Sequence, residues 1–287
     1  DVIVDEVHGI PFFVKLYTRK PVVCFVCEVA NEVWDQMFSF PLNKIGKTFE
    51  KIYPVIYRKL PFLTISESTK KDLIKNGIAG KNITVVPMGF TYTLPRRLPK
   101  KSNHPLILFL GRLTPAKGVA DAIKAFALIH KKESRAKTYI LGRGTPEYEK
   151  KMKKLVAKLG LKSSISFKGF VSENQKFSYL AQSHILLVPS IREGWGLIVP
   201  EANIVGTPAV VYDVPGLSDV VKNNINGIIT HQNTPEFLAE ASLDLILNPT
   251  KYKRTSISSL KYAKKMNWDD TANVSLSVLK KQIRKQR

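Results

Sequence analysis

From Leu106 onward, the chain alternates short apolar runs with longer segments of helical periodicity. The apolar runs, each typical of a buried strand, are LILFLG, TYILG, ISFKG, ILLVPS, AVVYD and GIIT. Helical patterns lie between them, at residues 119–132, 146–159, 174–182, 197–205 and 235–247. Alternating strands and helices are typical of βα units that build a parallel sheet. This half of the chain therefore predicts a doubly wound α/β domain that ends near Lys265.

The first ninety residues show the same alternation less completely. Strand patterns occur in VIVDEV, VVCFVCEV, PFLTIS and ITVVPMG, and helical patterns occur at residues 42–60 and 67–75. Residues 91–105 carry three prolines and four Lys or Arg without hydrophobic period, which indicates a linker. We therefore expect an N-terminal α/β domain at residues 1–95 and a second α/β domain at 96–267. A C-terminal helix at 268–287 is expected to pack back toward the first domain.

Composition narrows the choice of partner and compartment. Lys and Arg number 45 against 23 Asp and Glu, so the net charge is +22, which attracts nucleic acid, an acidic membrane or a phosphorylated substrate. No apolar run approaches the roughly 18–20 residues that span a bilayer, and we expect a cytoplasmic protein.

Cys24 and Cys27 lie three apart in an apolar strand pattern, so their side chains point to opposite faces. We expect buried, reduced thiols rather than a disulfide or a metal site.

The stretch GRLTPAKG forms the first βα junction of the second domain. A strand ends at Gly111, and Arg112 and Lys117 precede the next helix. Two cations and the backbone amides of a helix N-terminus suit a diphosphate, because the charges and the helix dipole have the same sign. The alternative is that both residues are solvated surface charges.

The stretch PSIREGWGLIVPEANIVG places two carboxylates after a buried strand. Glu193 lies in a glycine-containing loop and Glu201 lies on the following helix, with seven residues between them. Carboxylates accept hydrogen bonds from paired hydroxyls, so a ribose and a hexose are natural ligands. The glycines let backbone amides approach a ligand. The alternative is that Glu193 is a solvated loop acid and that Glu201 only favours the helix start.

In combination, these stretches resemble the retaining glycosyltransferases of family 4, which have the two-domain GT-B architecture. LGRGTPEYEKKMKKLVAKLGL, ISFKGFVSENQKFSYLAQSHILLVPS, NNINGIIT and, in the first half, LTISESTKKDLIKNGI also resemble that family, so the likeness spans nearly the whole chain. The resemblance implies an α/β GT-B fold with two Rossmann-like, doubly wound parallel-sheet domains. The first domain would be partial, since the family's opening strands and the Gly-rich loop after the first of them are not recognisable in the given sequence of that domain.

The resemblance also implies roles for individual residues. Arg112 and Lys117 would hold the diphosphate of a nucleotide-sugar donor, Glu201 would bind the ribose hydroxyls, and Glu193 would be the catalytic residue at the donor sugar. The backbone of residues 194–197 would cradle sugar and phosphate, and residues 168–171 would border the base. The implied donor-binding residues are Gly111, Arg112, Lys117, Lys168, Val171, Gly194, Trp195, Gly196, Leu197 and Glu201. The family needs no metal or other cofactor for catalysis, and the chain contains no Asp-x-Asp sequence.

One residue departs from the family pattern in the first domain. Related enzymes often have a His at the end of the strand that reads VVCFVCEV here, and this chain has Cys27 followed by Glu28. A thiol does not share a proton near neutral pH as an imidazole does.

The segment at residues 38–60 bears on the acceptor. It carries five Lys or Arg among aromatic residues, which indicates either a helix that docks on an anionic membrane or a solvated helix with a packed aromatic stripe.

We predict a retaining glycosyltransferase that acts on a glycan or lipid-linked acceptor, peripheral to the cytoplasmic membrane face. The alternatives are a basic nucleic-acid-binding protein, for which no recognisable module is present, and a donor-binding remnant without turnover.

Overall fold

The structure is a computed structural model that describes residues 1–30, 34–35 and 38–284. These residues form two compact units, Asp1–Phe90 with the residues from Met266 onward, and Thr91–Lys265. The Pro-rich stretch 91–105 opens the second unit and contains no helix or strand.

The first unit contains a parallel four-stranded sheet in the order β1-β2-β3-β4. Its first elements are β1 (Ile3–Glu6), β2 (Val22–Val26), α1 (Leu42–Tyr57), β3 (Phe62–Thr64), α2 (Glu67–Lys75) and β4 (Ile83–Val85). Sequential strands are neighbours, so this sheet winds in one direction. Its core lies between the sheet and α1, where the rings of Tyr53 and Tyr57 are buried and meet edge to face at 6.4 Å.

The second unit contains a parallel six-stranded sheet covered by helices. Its strands are β5 (Leu106–Leu110), β6 (Lys137–Leu141), β7 (Ile165–Gly169), β8 (Ile185–Val188), β9 (Ala209–Val211) and β10 (Gly227–Ile229). Its helices are α3 (Val119–Lys132), α4 (Pro146–Lys158), α5 (Glu173–Gln182), α6 (Ile198–Asn203), α7 (Leu217–Val220), α8 (Pro235–Ile246) and α9 (Pro249–Ala263). Strands buried on both faces account for continuous apolar runs such as LILFL.

The strand order of this sheet is β10-β9-β8-β5-β6-β7. The chain therefore proceeds from β5 outward to β7, returns to place β8 on the other side of β5, and continues outward to β10. Such a reversal makes a doubly wound sheet, and ligands of these sheets bind at the carboxyl ends of the strands where the order reverses. The predicted doubly wound domain is confirmed, and its reversal lies between β5 and β8.

The final helix, α10 (Trp268–Arg284), belongs to the first unit. The Gly89 amide donates a hydrogen bond to the Thr271 hydroxyl at 3.0 Å, and that hydroxyl donates to the Pro87 carbonyl at 2.6 Å. A Cβ atom on Gly89 would lie 2.7 Å from the backbone of Asn267, so glycine permits this close approach.

Most predicted elements are confirmed, and the differences have local causes. The helices predicted at 119–132, 146–159, 174–182 and 235–247 end within one residue of the observed bounds. Among the α-helices with bounds given above, α7 and α9 were not predicted. The buried face of α9 consists of Thr255, Ser259 and Ala263, so it lacks the large apolar residues on which periodicity depends.

Candidate functional site

Two loops meet where the strand order reverses. The loop after β5 contains the GRLTPAKG stretch, and the loop after β8 contains PSIREGWG. The Ile191 amide donates to the Ala116 carbonyl at 3.0 Å. Gly118 has φ +70°, and a Cβ atom there would lie 1.9 Å from the Pro189 carbonyl oxygen. The glycine before α3 is therefore what allows the two loops to touch.

Lys117 and Glu193 form an ion pair across these loops. The Lys117 Nζ donates to Glu193 Oε1 at 2.6 Å, and the Ser190 hydroxyl donates to the same oxygen at 2.8 Å. The Glu193 side chain is 13% exposed and that of Lys117 is 26% exposed. The alternative of a solvated loop acid at position 193 is therefore wrong, since Glu193 is largely buried and has two partners.

The glycine-rich segment after Glu193 presents unpaired backbone donors. The amides of Gly194, Trp195, Gly196 and Leu197 donate to no other residue in the described part of the chain. Trp195 is 9% exposed, and Gly196 has φ +81°, a conformation that favours glycine. Successive N–H groups without a partner among the described residues suit anionic or hydroxyl oxygens.

Gly216, in the loop after β9, also contacts the loop that carries Glu193. The Glu193 amide donates to the Pro215 carbonyl at 3.2 Å. Gly216 has φ +83°, and a Cβ atom there would lie 2.0 Å from the Glu193 carbonyl oxygen. The backbone at Glu193 therefore has its position because residue 216 has no side chain.

Glu201 does not contact Glu193 and has its own cationic partner. Its Oε1 accepts a hydrogen bond from Lys176 Nζ on α5 at 2.9 Å, and Lys176 also pairs with Glu173 at 2.8 Å. Burial raises the pKa of Glu201, and the Lys176 ammonium opposes that shift only in part. Burial disfavours the charged form of Lys176, but the two carboxylates outweigh this effect and the pKa of Lys176 is raised. The alternative that Glu201 serves only the helix start is incomplete, because the carboxylate links α6 to α5.

The remaining predicted donor-binding residues lie along the carboxyl edge of the same sheet. Arg112 follows β5 and Gly111; it is exposed, and none of the described residues forms an ion pair with it. Lys168 lies near the end of β7, where its Nζ is 4.2 Å from the centroid of the Tyr139 ring. Val171 is partly buried in the loop after β7. Among the predicted catalytic and donor-binding side chains, all within the described residues, Lys117 and Glu193 form the one ion pair.

Three residues of this site were not predicted. Ser190 orients Glu193, Lys176 holds Glu201, and Gly216 supports the Glu193 loop. Ser190 lies three positions before Glu193, so its reach was readable from the sequence. No local sequence pattern indicated Lys176 or Gly216, because each lies far along the chain from the site glutamate that it contacts.

Cys27 lies one residue beyond β2 and is only partly buried, unlike Cys24, which is fully buried. The expectation that both thiols are buried is therefore wrong for Cys27, because the strand ends at Val26. Burial, together with the carboxylates of Glu6 and Glu28, raises the pKa of the Cys27 thiol. The thiol therefore stays protonated at neutral pH.

Within residues 1–30, 34–35 and 38–284, no three or more His, Cys, Asp or Glu are grouped in a way that could hold a metal ion. Over the same residues, each helix is too short or too polar to cross a bilayer.

Comparison with protein families matches residues 92–265 to the family described as glycosyl transferases group 1. The chain is 29% identical over 187 residues to an uncharacterized glycosyltransferase of Methanocaldococcus jannaschii, covering 64% of this chain and 47% of that protein. It is 27% identical over 202 residues to a D-inositol 3-phosphate glycosyltransferase of Nocardioides, covering 66% of this chain and 44% of that protein. The chain thus spans about half the length of these relatives.

Among solved structures, Anabaena HepE in complex with UDP and glucose has a similar fold. The TM-score is 0.72 at 18% sequence identity, over 92% of this chain and 71% of that chain. At this identity the likeness is one of fold, and it agrees with the predicted GT-B class of two Rossmann-like units.

Replacing Gly216 by Ala should be more damaging than the matched change Gly160→Ala in the same unit. Both glycines have positive φ, +83° and +72°, which L residues rarely adopt, so both substitutions carry a backbone cost of about 1–3 kcal/mol. The cost is larger at Gly216, whose ψ of −47° lies outside the left-handed helical region. A Cβ on Gly160 has no atom within 4 Å, whereas one on Gly216 overlaps the Glu193 carbonyl. Urea unfolding of both variants checks this. Equal losses of unfolding free energy would mean that the Glu193 loop moves without cost.

Proposed function

The chain belongs to the glycosyl transferases group 1 family, and we propose that it transfers a sugar from a nucleoside-diphosphate sugar to a hydroxyl acceptor. The anomeric configuration is retained, as in the enzymes whose motifs the chain resembles. The acceptor is a glycan or a lipid-linked glycan. The observation that carries the proposal is the contact of Lys117, Glu193 and Ser190 where the strand order reverses.

Positive charge at this edge suits the leaving group of such a reaction. Arg112 is exposed and has no ion-pair partner among the described residues, and Lys117 lies at the end of the same loop. Preorganised cations stabilise the charge that develops on a departing diphosphate, so the transfer needs no divalent metal. Anabaena HepE, which has a similar fold, was solved with UDP and glucose, and this supports a nucleoside diphosphate as the ligand.

The Lys117–Glu193 pair gives the donor a defined effect on the site. A bound diphosphate competes with Glu193 for the Lys117 ammonium. Ser190 still donates to the Glu193 carboxylate at 2.8 Å and keeps it oriented toward the donor sugar. The amides of residues 194–197, which have no acceptor among the described residues, receive sugar and phosphate oxygens. Glu201 binds the ribose hydroxyls after exchange of its bond with Lys176.

Nucleotide binding is the first test of the proposal. We expect UDP, GDP or ADP to raise the unfolding temperature of the chain, because a ligand that binds only the folded state stabilises it. Arg112→Gln and Lys117→Gln should each weaken the affinity for that nucleotide about tenfold or more, since a charge-assisted hydrogen bond contributes about 1.5–3 kcal/mol. Isothermal titration measures both, with Lys150→Gln, an exposed residue of α4, as the control. Full affinity in both variants would refute the diphosphate assignment.

Glu193 and Glu201 should differ in what they contribute. Glu193→Gln should lower the rate of nucleoside diphosphate release from the sugar donor about 100-fold or more, with nucleotide affinity kept or raised because Lys117 loses its competing carboxylate. Glu201→Gln should weaken nucleotide affinity about tenfold, with a smaller effect on turnover.

Donor hydrolysis without added acceptor provides the rate, and titration provides the affinity. Parallel losses of rate and affinity in both variants would contradict this division. Nucleotide binding by the unsubstituted chain without any turnover would indicate a donor-binding remnant. Retention is tested by NMR: the coupling constant of the anomeric proton in the newly formed product should be that of the same anomer as in the donor.

A lipid-linked acceptor requires contact with a membrane, and the first unit has a surface suited to it. The helix α1 exposes an apolar stripe of Leu42, Ile45 and Ile52, and Phe40 just before it is 78% exposed. The first unit exposes further apolar side chains in the stretch around Phe13, which packs on Tyr57 of α1. They are Phe12, Leu16 and Tyr17.

Cations accompany this apolar surface. Lys44, Lys51 and Lys59 are exposed on or next to α1 and make no ion pair within the part of the chain that the structure describes. Lys47, by contrast, pairs with Asp35. An exposed apolar stripe with adjacent cations is the pattern of helices that lie in the interface of anionic membranes.

We expect the protein to sediment with vesicles of phosphatidylcholine and phosphatidylglycerol, to dissociate as salt rises, and to bind pure phosphatidylcholine weakly. Each Lys near an anionic leaflet contributes about 1 kcal/mol, so replacing Lys44, Lys51 and Lys59 by Glu should reduce the bound fraction strongly. The matched control replaces three exposed lysines of α4, Lys150, Lys151 and Lys154. Equal losses in the two triple variants would assign binding to net charge alone. A protein that stays in the supernatant at low salt would refute the membrane-proximal acceptor.

A further inference from the structure

Two arginines lie opposite each other at the carboxyl edge of the second sheet. The β5–β6 pairing runs in constant register from Leu106 opposite Lys137 to Leu110 opposite Leu141. The same register continues beyond the strands, where Leu113 is opposite Gly144. Arg112 is therefore opposite Arg143, and the Leu113 amide donates to the Arg143 carbonyl at 2.8 Å.

Glycines bring the two backbones together at this point. A Cβ atom on Gly142 would lie 1.8 Å from the Gly111 carbonyl oxygen, and one on Gly144 would lie 2.3 Å from the Leu113 carbonyl oxygen. Opposite residues of paired strands project to the same side, about 5 Å apart. Leu113 is 2% exposed, whereas Arg112 and Arg143 are both exposed, as the alternation of side chains requires.

The charge of this pair is not compensated within the described residues. Neither guanidinium forms an ion pair there, and the nearby Glu149 carboxylate instead accepts the Gly144 amide at 2.9 Å. Like charges directly opposite each other on paired strands are destabilising. An anion between them removes that repulsion, and guanidinium forks match the oxygen geometry of phosphate.

The strand order indicates which phosphate is bound. The strand β6 lies between β5, whose loop carries Arg112, and β7, whose end carries residues 168–171. The family resemblance implies that residues 168–171 border the base. Arg143 is thus on the nucleoside side of Arg112. We propose that Arg143 binds the phosphate attached to the nucleoside, as the second guanidinium of the donor site; this inference rests on the proposed function.

Titration of phosphorylated and unphosphorylated nucleosides tests the assignment in the full chain. The probe is the diphosphate among UDP, GDP and ADP that binds tightest, together with its monophosphate and its free nucleoside. Arg143→Gln should weaken the binding of diphosphate and monophosphate about tenfold or more and leave nucleoside binding unchanged. Arg143→Lys keeps the charge but not the planar fork of the guanidinium, so its affinity for both phosphates should lie between that of the unsubstituted chain and that of Arg143→Gln. Arg254→Gln, an exposed residue of α9, should change nothing.

The outcomes separate this inference from the function on which it rests. If none of the three diphosphates binds the unsubstituted chain, the proposed function fails and the role of Arg143 fails with it. If a diphosphate binds and Arg112→Gln weakens it, but Arg143→Gln leaves monophosphate affinity unchanged, only the assignment of Arg143 is overturned. Unfolding temperatures of the variants that match the unsubstituted chain confirm that a loss of affinity comes from the site.

Discussion

The reversal of strand order between β5 and β8 is the constraint on which the site of the second unit depends. At that point, two loops that are about 75 positions apart along the chain leave neighbouring strands in the same direction. Lys117 and Glu193 meet there at 2.6 Å, and Ser190 supports the carboxylate. A sheet that continued in one direction, as in the first unit, would not open a crevice between these loops.

Glycines give this edge its close backbone contacts. Gly118, Gly142 and Gly216 each occupy a position where a Cβ atom would come within 2.0 Å of a carbonyl oxygen of a neighbouring loop. No side chain at these three positions separates the loops. Charged residues next to two of the glycines, Lys117 and Arg143, lie at the same edge of the sheet. This edge is rich in donors that have no partner among the described residues: the guanidiniums of Arg112 and Arg143 and the amides of residues 194–197.

The two carboxylates of the site are held in different ways, and this difference underlies the roles proposed for them. Glu193 lies on a loop and shares its oxygen between a cation and a hydroxyl, so one partner can leave while the other remains. Glu201 lies on α6 and is bound to Lys176 of α5, where burial raises its pKa and the ammonium opposes that effect. A loop carboxylate that keeps one partner when the other leaves suits a reacting centre, whereas a helix carboxylate that exchanges its bond with Lys176 for a ligand suits recognition.

By itself, the sequence determined the alternation of strands and helices, the glycine-containing loops, and the residue types that suit phosphate and sugar, because these depend on local periodicity and turn chemistry. It did not determine α9, whose buried face of Thr255, Ser259 and Ala263 has no apolar period. The tertiary structure alone decided that Arg143 lies opposite Arg112 and that Lys176 holds Glu201, because register and helix packing join residues that are distant along the chain. It also decided the surroundings of Lys101, which lies in the stretch 91–105. The Lys101 ammonium donates to the Ser183 carbonyl and the Thr207 hydroxyl, and burial lowers its pKa to about 7. Burial is a property of the packed chain, and no local pattern of residues specifies it.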